Sequence, residues 1–471
     1  MPLRNILIIA LTAIIAIACY SVSARNRYAN LVAEAMHLIE TEALHEVPRE
    51  DLFKAAMNGM TDQLDEHSIY ISGDDFTALD EDMNQQFGGV GMYVDTDPQT
   101  DKLVVLAPIP DTPAFNAGIR VGDEIIEIAG ISTEGYERGD AVSKMRGPAG
   151  TTVEVSIMRD QERLEFELER AVIPVPSVSG DWRNSDGTWL FHLKDDPQIG
   201  YIRLTQFGKK STEEMREAVT EMNGNVDGLI LDLRNNAGGL LSSAIDICDM
   251  FLDEPLPVVR TRGRDRVLLE QHFCTDDVVL DPGVPLVILV NRHSASASEI
   301  VAGCLQDHGR AVIVGEQTFG KGTVQDLIPL QRGRSVLKLT VASFWRPSDR
   351  QIDRTDPEAK RTGVWGIQPE TGLEVALTTE MVFENIRQRN LRDLAGLNPD
   401  IYDSADRLFT LPDDDENTGP ESETESTTGP EPDDDPEDET SENPQAPADR
   451  HIDLPLEKAR EYLKSHLAIA A

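Results

Sequence analysis

Between residues 199 and 344, short apolar runs alternate with segments of helical periodicity. The runs 199–204, 229–233, 286–290, 311–314 and 336–344 have strand length and β-branched character. Segments 211–222, 240–252 and 297–307 carry apolar residues every three or four positions and predict helices. Strands alternating with helices indicate an α/β domain with a largely parallel sheet. Upstream, 28–44 and 50–64 repeat the helical spacing through Leu31, Leu38 and Ile39, then Leu52, Met60 and Leu64. Pro48 stands at the start of the second, where proline is tolerated. Runs 153–158 and 164–168 predict a hairpin around Asp160-Gln161. The amphipathic pattern returns at 453–467.

The richest stretch is 285–325. An apolar strand leads into a small polar turn, Ser294-Ala295-Ser296-Ala297-Ser298, and then into a helix. A second strand ends in Phe319-Gly320-Lys321-Gly322, which sets one lysine in an otherwise uncharged loop. A serine at a helix N-terminus lies among free N–H groups that can receive an oxyanion. A lysine kept from water can lose its proton and act as a base. Serine turns are more often simple caps, and glycine-loop lysines more often solvated or phosphate-bound. The phosphate-loop pattern fails because Gly322 follows Lys321. Together the two features suggest a Ser–Lys hydrolase.

These residues resemble the C-terminal processing peptidases, or tail-specific proteases, a family of S41-type serine peptidases. The resemblance rests on SASASEI at 294–300 and GEQTFGKGTVQ at 315–325, in the family's order and spacing. It implies Ser296 as nucleophile, Lys321 as general base and Gln325 as the residue that orients the lysine. It implies an oxyanion hole from Ala297 and from Gly239 or Gly238, with Gly239 favoured. It also implies a core of the crotonase/Clp-protease type, which periodicity alone does not give. Trp365-Gly366-Ile367-Gln368-Pro369 resembles the family's closing segment.

Residues 87–171 resemble a PDZ domain inserted ahead of that core. Phe87-Gly88-Gly89-Val90-Gly91-Met92 is similar to a carboxylate-binding loop, and AGIRVGDEII at 117–126 to a PDZ helix–turn–strand. Such a loop turns N–H groups towards a peptide's C-terminal carboxylate, and the next strand pairs with the peptide. Peptide binding is therefore expected at Gly89, Val90, Gly91 and Met92. The resemblance gives Arg146 a regulatory part, signalling from the PDZ to the active site; the plainer reading is a solvated arginine before a turn. The segment GDWRNSDGTW, 180–189, matches nothing in the family and is expected as a surface loop at the cap.

Composition narrows the field. The chain has 471 residues, with 43 Lys and Arg against 84 Asp and Glu, a net charge of −41. That argues against nucleic acid. Residues 412–450 hold sixteen acids with Arg450 as their one base, few apolar side chains, and much Pro, Ser and Thr. This composition predicts a disordered acidic linker within the catalytic half. Four cysteines at 19, 248, 274 and 304 show no metal spacing; outside the leader they are expected as buried free thiols, with a Cys248–Cys274 disulfide as the alternative in an oxidising compartment.

Arg4, an apolar core of thirteen residues at 6–18, and Val22-Ser23-Ala24 predict an export signal or N-terminal anchor at 1–27, and hence a periplasmic or extracytoplasmic site. The full division is then 1–27 leader, 28–86 helical N-terminal cap, 87–171 PDZ, 172–411 peptidase, 412–450 linker and 451–471 terminal helix, a multi-domain α+β chain with an α/β core. The expected activity is endopeptidase, rising with pH, without metal or cofactor. Its partners are protein substrates with C-terminal tails, and the cap helices suit a homodimer. The competing readings are a catalytically inactive PDZ scaffold, an acyl-CoA enzyme on a related fold, and a Ser–His–Asp hydrolase using His293 or His308.

Overall fold

The computed structural model describes residues 4–5, 10–15, 27–97, 100–136, 138–184, 186–275, 277–330, 334–398 and 452–470. Most of the predicted leader and all of the acidic tract lie outside the described residues. Among the described residues, no helix is long and apolar enough to cross a membrane. The chain divides into two compact units, the first Met1–Thr77 with Val324–Val341 and the second Ala78–Thr323 with Ala342–Ala471.

The first unit contains the helices Arg27–Glu42 and Arg49–Thr61 and the strand Ile69–Ile71. That strand pairs antiparallel with Lys338, Leu337 and Val336. Ser68 and Thr340 both donate to the Asp65 carboxylate, at 2.7 and 2.8 Å, which ties the end of the helical segment to the strand. The helix Arg27–Glu42 buries none of its residues.

Two larger sheets in the second unit position the site. In the first, five antiparallel strands lie in the order Met92–Asp97, Lys102–Pro108, Glu124–Ile128, Thr152–Arg159, Glu162–Glu169. The predicted hairpin closes at Asp160 and Gln161, both with positive φ (49° and 68°), the conformation of a tight two-residue turn. Alternate residues Val105, Ile125, Ile128, Val155 and Ile157 point inward and form the core. The helix Arg138–Met145 packs Ala141 and Met145 onto it. The strand Met92–Asp97 is left at the sheet edge.

The second sheet is the parallel one. Asp196–Leu204, Gly228–Asp232, Leu286–Val290 and Ala311–Gly315 run side by side in chain order, with Ile202, Leu231, Ile288 and Ile313 in register. These strands are buried on both faces, which explains their unbroken apolar runs. The C-terminal helix Leu454–Ala470 covers one face, placing Leu456, Ala459 and Leu463 against Tyr201, Ile230, Val287 and Leu289. The chain thus returns after the acidic tract to complete the peptidase core. Cys248, Cys274 and Cys304 are buried free thiols.

The stretch 180–189 is not a surface loop. Trp182–Arg183 and Trp189–Leu190 form a short antiparallel hairpin, and Gly180 leaves room for it, since a Cβ there would lie 2.0 Å from the Leu190 carbonyl. Trp182 packs with Leu391, Leu394 and Ala395 of the helix Thr379–Ala395 and with Leu106 and Ala107 of the first sheet. The buried Asn398 side chain donates to the Leu106 carbonyl at 3.0 Å. Asp393 of that helix pairs with Arg203 of the parallel sheet, so hairpin and helix form a clamp between the PDZ-type sheet and the parallel one. Asp181, also buried, accepts from Arg389 and Arg392 and fixes the hairpin to the helix.

Leu391 is 1% exposed. Leu391→Ala should cost about 2–5 kcal/mol and expose the clamp to proteolysis. Denaturant unfolding with limited proteolysis checks both; wild-type resistance in the variant contradicts the clamp.

Candidate active site

Three loops converge at the C-terminal ends of adjacent parallel strands. Residues 233–240 follow Gly228–Asp232, residues 291–296 follow Leu286–Val290, and residues 316–322 follow Ala311–Gly315. Loops at this end of a parallel sheet are close to one another and to helix N-termini, which suits a binding site.

Ser296 caps the helix Ala297–Asp307 with φ 55° and ψ −112°, a left-handed backbone that is costly for a residue with a Cβ. Its backbone N–H donates to Glu299 Oε2 at 2.8 Å. Across the site, Phe319 N–H donates to the Ser294 carbonyl at 3.0 Å, joining the lysine loop to the serine turn. Gly320 N–H and Lys321 N–H reach Glu299 Oε1 and Oε2 at 2.7 and 2.9 Å, and Thr318 Oγ1 donates to Oε1 at 2.6 Å. The Thr318 hydroxyl accepts in turn from Ile367 N–H at 2.7 Å, so the predicted closing segment anchors the lysine loop. Gly320 has φ 83°, and a Cβ there would meet Trp365 at 2.4 Å. Ser296 and Lys321 are both half-buried.

Glu299 is therefore the centre of the arrangement. It is 0% exposed and accepts four hydrogen bonds from two loops. Burial pushes its carboxyl pKa up, while those donors pull it down, and burial prevails.

Gly238 sits against the serine, and Gly239 against the Phe207 backbone. A Cβ on Gly238 would lie 2.8 Å from Ser296 Cβ and 2.9 Å from Ala297 N. The Gly238 N–H is engaged by Asn236 Oδ1 at 2.8 Å. The Gly239 and Ala297 amides, by contrast, donate to no partner among the described residues. Asn236 is itself held by the Leu204 carbonyl. Asp232 and Arg234 form a buried ion pair at 2.6 Å that also takes the Tyr201 hydroxyl and Asp453. They brace the loop and the start of the C-terminal helix. Desolvation would raise the Asp232 pKa, but Arg234 and Tyr201 outweigh it and keep the carboxyl below its ordinary range.

Gln325 lies in the first unit, where its side-chain amide donates to Thr340 Oγ1 at 3.2 Å. His293 is exposed, and His308 Nε2 lies 2.8 Å from the Pro257 carbonyl. Neither histidine is hydrogen-bonded to Ser296. Sequence reasoning missed Glu299, Thr318 and Asn236. Glu299 could have been found: Ser296-x-x-Glu299 is the spacing of a capping box.

Gly89, Val90, Gly91 and Met92 line a cavity of about 570 Å³ between the edge strand Met92–Asp97 and the helix Arg138–Met145. The Val90 and Gly91 amides donate to no partner among the described residues. Arg146 opens onto the same cavity, with its guanidinium 4.3 Å from the centre of the Phe87 ring. A second cavity of about 240 Å³ reaches Asn235 and Asn291 at the bases of the glycine and serine loops. The two share Arg203, Thr205 and Asn390 in their walls.

A serine at a helix N-terminus beside a lysine loop and free amides, in an α/β core joined to a PDZ-type sheet, is the build of a serine peptidase. Residues 198–373 match peptidase family S41 and residues 89–169 match the PDZ domain. The carboxy-terminal-processing protease of Bartonella bacilliformis is 38% identical over 308 residues, covering 64% of this chain and 67% of that protein. The chloroplastic carboxyl-terminal-processing peptidase 3 of Arabidopsis thaliana is 36% identical over 313 residues, covering 62% of this chain and 56% of that protein. The carboxy-terminal processing protease CtpB of Bacillus subtilis is 31% identical over 338 residues, covering 70% and 67%. The chain belongs to peptidase family S41, as a PDZ-containing serine peptidase of the C-terminal processing kind.

Glu299→Gln places an amide against three N–H donors and a hydroxyl. Turnover should fall about ten- to a hundredfold as the two loops separate. A raised folded pKa means that the folded chain holds the Glu299 proton more tightly than the unfolded chain. This group's contribution to stability is thus present below the unfolded value and lost as pH rises through the raised one. Denaturation of wild type and Glu299→Gln across mildly acidic pH should show that decline in wild type only. Full turnover in the variant contradicts the tie.

Proposed function

We propose that this chain is an endopeptidase that holds a substrate's C-terminal tail in the PDZ groove and cuts upstream at Ser296. The observation that carries the reading is the fixed placement of the lysine loop against the serine turn, through the Phe319–Ser294 bond and the Glu299 carboxylate. In this reading uncharged Lys321 takes the Ser296 hydroxyl proton as Oγ attacks the scissile carbonyl. The proton passes to the leaving amine when the tetrahedral intermediate collapses. A water then releases the acyl group by the same route. The free amides of Gly239 and Ala297 are assigned to the oxyanion, and Gly238 to the close packing that lets them approach it. Gln325, four residues beyond Lys321, is assigned the task of orienting the amine on sequence spacing.

Tail recognition follows from the groove. Val90 and Gly91 offer free N–H groups to a carboxylate, and the open edge of Met92–Asp97 can accept a peptide as an added strand. The groove shares Arg203, Thr205 and Asn390 with the second cavity, which reaches Asn291 at the base of the serine loop. Arg146, on the groove wall, is assigned to signalling that the groove is filled.

Ser296→Ala and Lys321→Ala should each cut cleavage of a protein with an apolar C-terminal tag by about a thousandfold or more. The wild-type rate should climb into the alkaline range, as an amine base requires. Gel assays across pH test this: undiminished cleavage by Ser296→Ala, or an optimum in acid, overturns the reading.

A further inference from the structure

The PDZ groove is not lined by the PDZ domain alone. The clamp hairpin contributes Arg183 and Trp189 to the same cavity as the Gly89–Met92 loop. Four arginines line this cavity, Arg138, Arg146, Arg183 and Arg203, against the acids Asp95 and Asp393. Arg203 is paired with Asp393, and Arg138 lies 3.9 Å from Asp95. That accounts for both acids.

Arg146 and Arg183 remain. Each guanidinium stacks on an aromatic ring, Phe87 at 4.3 Å and Trp189 at 4.2 Å, and neither meets a carboxylate among the described residues. Arg183 Nε is buried with no hydrogen-bond partner. In a chain with 84 acids against 43 basic side chains, two such arginines facing one cavity are conspicuous. Stacking occupies the face of a guanidinium and leaves its in-plane N–H groups for a planar anion. The hairpin is also closely packed: a Cβ on Gly396 would lie 2.4 Å from the Arg183 carbonyl.

We propose that Arg183 is a binding residue for the terminal carboxylate of the substrate, facing it from the peptidase side while the Val90–Gly91 amides and Arg146 hold it from the PDZ side. The tail site is thus a composite that exists only while the clamp holds hairpin and PDZ together. A PDZ separated from the core would bind free C-termini more weakly than the whole chain. The proposal rests on the reading of the groove as a C-terminus site.

The test uses the full chain carrying Ser296→Ala, so that bound peptide is not cut. A labelled peptide with an apolar end is titrated as the free acid and as the C-terminal amide, with and without Arg183→Met, a change that keeps an apolar stem over Trp189. The parent should prefer the acid. Arg183→Met should weaken acid binding about ten- to a hundredfold and leave amide binding unchanged. Arg183→Lys should recover part of the preference, because it restores charge without the planar fork. An unchanged ratio of acid to amide affinity in Arg183→Met overturns the assignment of Arg183, as does an equal loss for both peptides, which marks a packing role. A parent chain that binds acid and amide alike overturns the C-terminus reading of the groove itself.

Discussion

One buried carboxylate organises the candidate active site of this molecule. Nothing in the covalent chain joins the serine turn to the lysine loop directly; a helix and a strand lie between them. Glu299 closes that gap by accepting from Ser296, Thr318, Gly320 and Lys321 at once. Removing a carboxylate from water is expensive, and four donors offset much of that cost. The offset is incomplete, as the raised pKa indicates. A charge held this way fixes distance between loops more firmly than apolar packing can, because each donor has a preferred direction and a buried donor left unmade is costly.

The same tie explains the strained serine. A left-handed backbone at Ser296 persists only where its surroundings over-determine it. Here the Glu299 bond holds its amide on one side and the close approach of Gly238 crowds its Cβ on the other. Gly238 and Gly239, with φ 100° and 146°, hold conformations closed to other residues, and the room they leave is filled by the serine turn and by Phe207. Strain at the serine and glycine at its neighbour are two sides of one close approach.

Much of this was legible in the residues. Strands 286–290 and 311–314 and helix 297–307 announced themselves by unbroken apolar runs and by periodicity, because both faces of each are buried. The hairpin at 182–190 did not. Its strands are two residues long, too short for alternation to register, and its fold is set by distant partners in Thr379–Ala395 and at Leu106. Glu299 was readable only as a helix-capping glutamate; its hold on the lysine loop depends on tertiary contacts across 19 to 22 residues of chain. The free amides of Gly239 and Ala297 were beyond sequence altogether, since Gly238 and Gly239 differ only in which neighbour claims the N–H.

The clamp turns two stable folds into one device. The PDZ sheet and the parallel sheet each have a core cluster of their own. Joined by a flexible linker, they would bring tail and scissile bond together only at the effective concentration that the linker allows. Trp182, Leu391 and Leu394 replace that loose tether with a packed joint against Leu106 and Ala107. Asn398 adds a directional bond that fixes the register of the joint. Distance between groove and serine turn then becomes a property of packing; in the proposed reading, the fold would also set the length of tail that spans it. The hairpin that makes the joint also carries Arg183 into the groove wall, so the elements that hold the two domains together also shape the surface a substrate meets.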